Sequence, residues 1–394
     1  MTGTILQQAH TLQEKITSHR RWLHAHPEVA FDLPETIKYV RQTLVSLGYQ
    51  PVDCGKCGLF ADITGNEGKT ILLRADMDAL PIQEEADIPF ASQNGNMHAC
   101  GHDLHTAMLL GAAELLKQNQ SLLDGTVRLM FQPAEEILSG AKDMVDNGVL
   151  ENVDAAMMIH VSSALPMETG TMIVAPSGVS APAAAYFSVT VQGKGCHGAA
   201  PHKGVDALTI AAHILLALQE IHAREIPSVS GAVLTIGHLS GGTADNAIAD
   251  SAQLRGTVRA FEDDTMSFLQ DRITQISQGI AASFRGSADV TFDRNCPTLI
   301  NDEKLCQTAH DFLKDQFSII RVATLDRGGA GGSEDFAYVS HKVPSVMLSL
   351  AAGSPADGHT YPLHHPKVTF DEAALPIGAA ALTEFAIHYL TYDK

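Results

Sequence analysis

His98-Ala99-Cys100-Gly101-His102-Asp103-Leu104-His105 leads straight into Ala107, Met108, Gly111, Ala112 and Leu115, small or apolar residues at helical spacing. The stretch reads as a tight loop entering a buried helix, with metal-ligand side chains at the entrance. Cys100 and His102 stand two apart, so both reach one ion only if Gly101 lets the backbone bend sharply between them. Taken alone, a buried cysteine beside hydrogen-bonded histidines reads the same way. The rest of the chain bears on the choice.

The apolar-rich run Val127 to Phe131, which includes Arg128, precedes Gln132-Pro133-Ala134-Glu135-Glu136, so two adjacent carboxylates emerge from the end of an expected buried strand. Residues 155–159 deliver His160 in the same way, residues 71–73 lead to Asp76 and Asp78, and Leu363-His364-His365-Pro366 adds two imidazoles near the C-terminus. In an open α/β sheet, binding sites form beyond the carboxyl ends of the strands, which is where these residues fall. Separate segments meeting at one edge are hard to explain by core packing, and an α/β fold with a metal centre is the expectation. Thiolate, imidazole and carboxylate together suit zinc, cobalt, nickel, manganese or iron better than magnesium or calcium.

Six segments occur in a fixed order: Arg20-Arg21-Trp22-Leu23-His24-Ala25-His26-Pro27-Glu28, Arg74-Ala75-Asp76-Met77-Asp78-Ala79-Leu80-Pro81, the Cys100 loop, Gln132-Pro133-Ala134-Glu135-Glu136, Gly193-Lys194-Gly195-Cys196-His197-Gly198-Ala199-Ala200-Pro201 and Leu363-His364-His365-Pro366. Together they resemble the dimetal aminoacylase and carboxypeptidase family, in its amidohydrolase branch of hippurate and auxin-conjugate hydrolases. The resemblance spans nearly the whole chain. It implies a metallopeptidase-type catalytic domain with a central mixed sheet, and a smaller α+β sandwich inserted in it as a lid or dimerisation domain.

The resemblance also implies two divalent ions per subunit (zinc, manganese, cobalt or nickel), held by Cys100, His102, Glu136, His160 and His364. Glu135 is implied as the acid–base residue, and His197 as an oxyanion-stabilising group that reaches the neighbouring subunit's site. Asn246 and Arg259 resemble groups that hold a substrate carboxylate, and Glu334, in Gly331-Gly332-Ser333-Glu334-Asp335-Phe336, is expected near the pocket without an assigned role. Two positions depart from the family pattern. Asp76-Met77-Asp78 replaces a His-x-Asp motif, and both aspartates are read as orienting a ligand imidazole through its far nitrogen. Ala249 stands where the family usually has proline, which leaves loop geometry and specificity open. His105 and His365 are expected not to ligate.

The implied reaction is cleavage of the amide of an N-acyl amino acid or related conjugate, hippurate-like or N-acetyl, with a dipeptidase or carboxypeptidase as the alternative. Amide hydrolysis is slow because hydroxide is scarce, the carbonyl is weakly electrophilic and the amine leaves poorly. Two metals address the first two obstacles, and a non-ligand Glu135 addresses the third by moving the water's proton to the departing nitrogen. A cysteine-nucleophile amidase using Cys100 with His102 would leave Glu136, His160 and His364 idle. A catalytically dead binding protein sits poorly with an intact Glu135. The expected partners are a small-molecule substrate and a second copy of the chain, as a homodimer.

Composition agrees with this picture. At 394 residues the chain is long for one core, and a net charge of −19 disfavours nucleic acid and anionic membrane. No leader-like N-terminus or membrane-length apolar run is evident, and six scattered cysteines form no disulfide framework, so a cytoplasmic location is expected. Cys54-Gly55-Lys56-Cys57 has redox spacing but is expected to be structural or incidental.

The periodicity predicts helices over 5–26 and from 34 until Gly48, then alternating strands and helices to 177, followed by a small-residue linker at 177–185. Beyond it a strand at 186–191, helix at 205–221, strands at 233–236 and 252–259, helix at 264–282 and strand at 288–292 give a βαββαβ order. Residues 297–300 lead back to the first domain, whose last strand is expected at 345–350. The expected domains are a catalytic domain at 1–181 and 296–394, and an inserted one at 182–295.

Overall fold

The computed structural model describes residues 4–227, 230–315, 317–321 and 332–391. Among these, two compact units separate, the larger comprising 4–180, 300–321 and 335–391, the smaller 181–299 with 332–334. The smaller unit thus opens at Ala181 and runs to Leu299, a few residues later than the expected return at 296.

Eight strands form the sheet of the larger unit, in the order Val52–Cys54, Gly58–Thr64, Gly125–Gln132, Lys69–Asp76, Ala155–Ser162, Ser345–Ala351, Met172–Val174 and Ile319–Arg321. The four central strands, from Gly125–Gln132 to Ser345–Ala351, are mutually parallel, and the sheet is mixed because antiparallel partners flank them. Their largely apolar composition explains this. Ile71, Leu72, Leu73, Val127, Leu129, Phe131, Ala156, Met157, Val346 and Leu348 are buried, as strands covered on both faces require. Helix His102–Gln118 is buried along most of its length, and Ala374–Thr391 packs beside it. Parallel strands share one carboxyl edge, so Asp76, Gln132 and His160 arrive at the same side of the sheet.

Two local expectations need correction. The first helix is two, Ile5–Thr11 and Gln13–Ala25. At Leu12 the backbone N–H is shared between the Gln8 and Ala9 carbonyls, while the Thr11 hydroxyl also donates to Gln8 O, and φ/ψ relax to −93/0. A break made by shared hydrogen bonds, with no proline or glycine, leaves the apolar periodicity intact. The stretch at 177–185 is strand on both sides of Pro182, as Gly178–Ala181 and the start of Ala183–Gln192. Its small residues are core: Ala183 and Ala185 are fully buried on the face that packs against helices.

The smaller unit is an antiparallel four-stranded sheet, ordered Val233–Gly241, Ser251–Ala260, Ala183–Gln192, Ser287–Cys296. Helices Ala207–Glu220 and Asp263–Ser283 bury Ile210, Ile214, Leu269 and Ile273 in one cluster with Phe187, Val189 and Leu254. Val233–Gly241 is longer than the sequence suggests, because its inner positions are only half-buried and a register shift between Ile236 and His238 interrupts the alternation. Asp206 caps helix Ala207–Glu220 by accepting the Leu208 and Thr209 N–H groups.

All six cysteines are free thiols. Cys54 donates to Met144 O and Cys57 to Phe31 O, and burial pushes the Cys57 thiol up to about 11, so neither is a reactive thiolate. No helix among the described residues is long and apolar enough to cross a membrane.

Candidate metal centre

Gly101 makes the ligand loop. It stands at φ +88 before helix His102–Gln118, and a Cβ there would lie 2.4 Å from Val161 Cγ2, so only glycine lets the loop press against the neighbouring strand. Cys100 and His102 emerge on either side. Strand Ala155–Ser162 supplies His160, whose Nε2 lies 3.7 Å from Cys100 Sγ while its Nδ1 donates to Val161 O at 2.7 Å.

Beyond strand Gly125–Gln132, Ala134 adopts φ +56, and the chain turns to present Glu135 and Glu136. Both backbone N–H groups donate to the Asp78 carboxylate, Glu135 to Oδ1 at 2.9 Å and Glu136 to Oδ2 at 3.1 Å. His364, at φ +65, donates its backbone N–H to Ala99 O at 2.9 Å, and its Nε2 lies 3.7 Å from Glu136 Oε1. A non-glycine residue in the left-handed region carries backbone strain, and here it falls at the residue whose imidazole lies beside Glu136.

Asp76 and Asp78 reach the site in different ways, Asp78 through its backbone carbonyl as well as its carboxylate. His102 Nδ1 donates to the backbone carbonyl of Asp78 at 2.8 Å, leaving Nε2 turned toward the glutamates, while the Asp78 carboxylate serves the glutamate turn. The Asp76 carboxylate meets His105 Nδ1 at 2.6 Å, and its other oxygen lies 3.6 Å from His102 Nε2. His105 Nε2 accepts the Val161 N–H at 2.8 Å, so the two nitrogens of this buried ring tie the helix to two strands, Lys69–Asp76 and Ala155–Ser162. His365 stacks on Tyr361 and accepts the Lys367 N–H. His98 is buried, its imidazole pushed down to about 3 chiefly by that burial, and lies outside the ligand groups.

Cys100, His102 and His160 bring their ligand atoms within 4.8 Å of one another, and so do Cys100, Glu136 and His364. The two groups share one sulfur. His102, Glu135 and Glu136 form a third such group, in which His102 Nε2 lies 3.8 Å from a carboxylate oxygen of each glutamate. Metal–ligand bonds of 2.0–2.3 Å at tetrahedral angles separate ligand atoms by about 3.3–3.8 Å, which these spacings approach. His102 Nε2 and Glu136 Oε1 are moreover buried with no hydrogen-bond partner, a cost that an ion between them would remove. Burial first, and then the Asp78 and Asp76 carboxylates, push the Glu136 carboxyl up to about 7 against the pull of His102. Burial likewise raises the Cys100 thiol well above its ordinary value, and Glu136 adds to this. So much crowded anionic capacity suits divalent cations.

In the smaller unit, strand Cys196–His197 pairs with Ala247–Ile248, and Gly198 N–H donates to Asn246 O at 2.7 Å, so His197 and Asn246 share one exposed ribbon. A Cβ on Gly198 would meet that oxygen at 2.7 Å. His197 Nδ1 accepts the Ala199 N–H at 3.0 Å. The Ala249 carbonyl accepts from Ala207 N–H, tying the segment to the start of a helix without proline. Arg259 donates to Ser333 Oγ at 2.7 Å, and Glu334 is buried with its carbonyl accepting from Cys296 Sγ. Gly331 lies outside the described residues.

A thiol, imidazoles and carboxylates gathered beyond the carboxyl ends of parallel strands are the ligand types of a metal-dependent hydrolase. The model of peptidase family M20/M25/M40 matches residues 72–388, and the chain belongs to that family. N-acetyl-L-cysteine deacetylase of Bacillus subtilis (strain 168) is 37% identical over 387 residues, covering 98% of this chain and 90% of the relative. Thermostable carboxypeptidase 2 of Saccharolobus solfataricus is 36% identical over 386 residues, covering 96% of each chain. The crystal structure of the Bacillus subtilis YXEP protein, described as a dinuclear metal binding peptidase of the M20 family, superposes with a TM-score of 0.79 at 33% identity, covering 96% of this chain and 99% of that one.

Proposed function

We propose that the chain is a two-metal amidohydrolase that removes the acyl group from N-acyl amino acids, with Cys100, His102, Glu136, His160 and His364 as the ligands. The observation that carries this is the pair of ligand groups sharing Cys100 Sγ, one completed by His102 and His160, the other by Glu136 and His364. Bound there, two ions would supply an acidified water and a polarised carbonyl. Glu135 is the group that takes a proton from water and returns it to the leaving nitrogen. Its side chain borders the cluster, and its backbone is held by Asp78.

An N-acetylcysteine deacetylase and a carboxypeptidase both cleave an amide whose nitrogen belongs to an amino acid with a free carboxylate. Arg259 and Asn246 are the residues we assign to that carboxylate, the guanidinium giving an acidic protein a local cation. Because His197 Nδ1 accepts a hydrogen bond, its neutral ring carries the proton on Nε2, a donor suited to an oxyanion. We expect Glu334 near the substrate, without a role assigned to it.

The test is a panel of N-acetyl, hippuryl and indoleacetyl amino acids and dipeptides, run on chelated protein reconstituted separately with zinc, manganese, cobalt and nickel. Chelation should abolish turnover and metal restore it, with acyl amino acids outpacing dipeptides. Full turnover in verified metal-free protein would transfer the chemistry to Cys100 as nucleophile, and faster dipeptide cleavage would favour the carboxypeptidase reading.

The same reading makes the protein a homodimer in which His197 serves the partner's site. Mixing an inactive Glu135→Gln chain with an inactive His197→Ala chain should restore activity, since one site of the hybrid carries neither lesion. Demonstrated subunit exchange without recovery would place His197 in its own chain's site or in none.

A further inference from the structure

Nothing in the reaction described above uses the segment 20–28, yet its side chains converge on the metal loops. Asp103 follows His102 in the chain and is fully buried. Its Oδ2 accepts from Arg20 Nε at 2.8 Å and His24 Nδ1 at 2.8 Å. Arg20 is itself 2% exposed, with Nη1 on Glu372 Oε1 at 3.0 Å and its guanidinium 4.7 Å above the Phe90 ring. The His24 ring is pinned at its other end, where Nε2 meets Glu84 Oε1 at 3.0 Å, and Glu84 Oε2 is fixed by the Ser92 N–H at 2.6 Å. A few residues on, the Glu28 backbone carbonyl accepts the Ala79 N–H at 2.7 Å, directly after Asp78. The Glu28 carboxylate meanwhile accepts the N–H groups of Glu35 and Thr36.

We propose that the segment 20–28 is a positioning element for the metal centre. Arg20 and His24 set the first turn of the ligand helix by gripping Asp103, and Glu28 sets the Asp78 turn by gripping Ala79. The physical argument is one of rotation. His102 Nε2 points at the cluster only while the helix holds its azimuth and Asp78 O holds Nδ1, and the segment fixes the first from helix Gln13–Ala25 and the second from the Pro27-Glu28 stretch that follows it. Arg20 and His24 touch no ligand atom, so they act through Asp103. An unpaired carboxylate at that depth is costly, so the grip is stiff. This inference rests on His102 being a metal ligand. Partners that orient metal ligands are each worth about 10–100-fold in metal affinity.

The test is a chelator-competition measurement of zinc and cobalt affinity on the full chain, comparing Arg20→Lys and His24→Gln with Lys15→Ala. Lys15 pairs with Glu114 at 2.6 Å and so links the same two helices away from the loop. Arg20→Lys keeps the charge but loses the fork, and His24→Gln keeps one amide donor. Both should weaken metal binding about 10–100-fold and change the visible spectrum of the cobalt form, while the metal-free proteins keep their circular dichroism and Lys15→Ala binds normally. If Arg20→Lys fails to fold, His24→Gln decides. Affinities unchanged in the folded variants, or weakened equally by Lys15→Ala, overturn the proposal. A wild-type chain that binds no metal would instead sink the two-metal reading itself.

Discussion

Replacing Glu135 with glutamine is expected to lower kcat by about 10²–10⁴-fold while leaving the metal content unchanged. The substitution keeps the shape of a side chain that is 8% exposed and leaves its backbone N–H on Asp78 Oδ1. It removes only the capacity to take a proton. The groups that share Cys100 do not include Glu135, so both seats should stay filled. Glu135 does share a third group with His102 and Glu136, which supplies the competing outcome. If Glu135 were a ligand, the glutamine variant would lose metal along with rate. Measuring bound metal and kcat on the same preparation separates the two. A fall in kcat with KM nearly constant marks an interaction made in the transition state. Near-normal turnover at full metal content would remove Glu135 from the chemistry.

The parts of this molecule that were legible in the sequence are those where one side chain or one run decides the outcome. The apolar-rich stretches at 71–73, 127–131 and 155–159, broken only by Arg128, are short enough to read as buried strands, and the chemistry-bearing residues at their ends then point to one edge. Gly101 was legible because a bend between Cys100 and His102 needs a residue without Cβ. The illegible parts are backbone-mediated. No side-chain pattern shows that the carbonyl of Asp78 holds His102 while its carboxylate holds the N–H groups of Glu135 and Glu136. The break at Leu12 and the strand built from small residues around Pro182 were hidden for the same reason, since both depend on hydrogen bonds and tertiary packing rather than on composition. One signal was available and unused. Arg74 interrupts an apolar strand, and a lone charge there implies buried partners.

Those partners make Arg74→Met the substitution with the largest expected effect on stability, a loss of about 3–5 kcal/mol. Arg74 is fully buried and donates from Nη1 to Asp76 Oδ2 at 2.7 Å, from Nη2 to Asp335 Oδ1 at 3.0 Å and from Nε to Gln132 Oε1 at 2.8 Å. Methionine fills much of the volume but leaves two carboxylates in a low-dielectric interior without their cation. Burial opposes charge on Asp76, yet Arg74, with His102 and His105, holds its carboxyl well below the usual carboxylate range. Removing the guanidinium therefore takes away the first of the charges that keep Asp76 ionised beside the metal loop. Asp335 retains Gln132 Nε2 at 2.7 Å and the Ala141 N–H at 2.9 Å, which places the cost within this range rather than above it. Urea unfolding of chelated protein measures the loss, and adding Asp335→Asn tests its cause. The double variant should lose less than the sum of the two single changes, because neutralising the carboxylate relieves what Arg74→Met leaves unpaired. A loss below about 1 kcal/mol, or strict additivity, would mean that the buried network adds nothing beyond what hydrophobic packing supplies at this site.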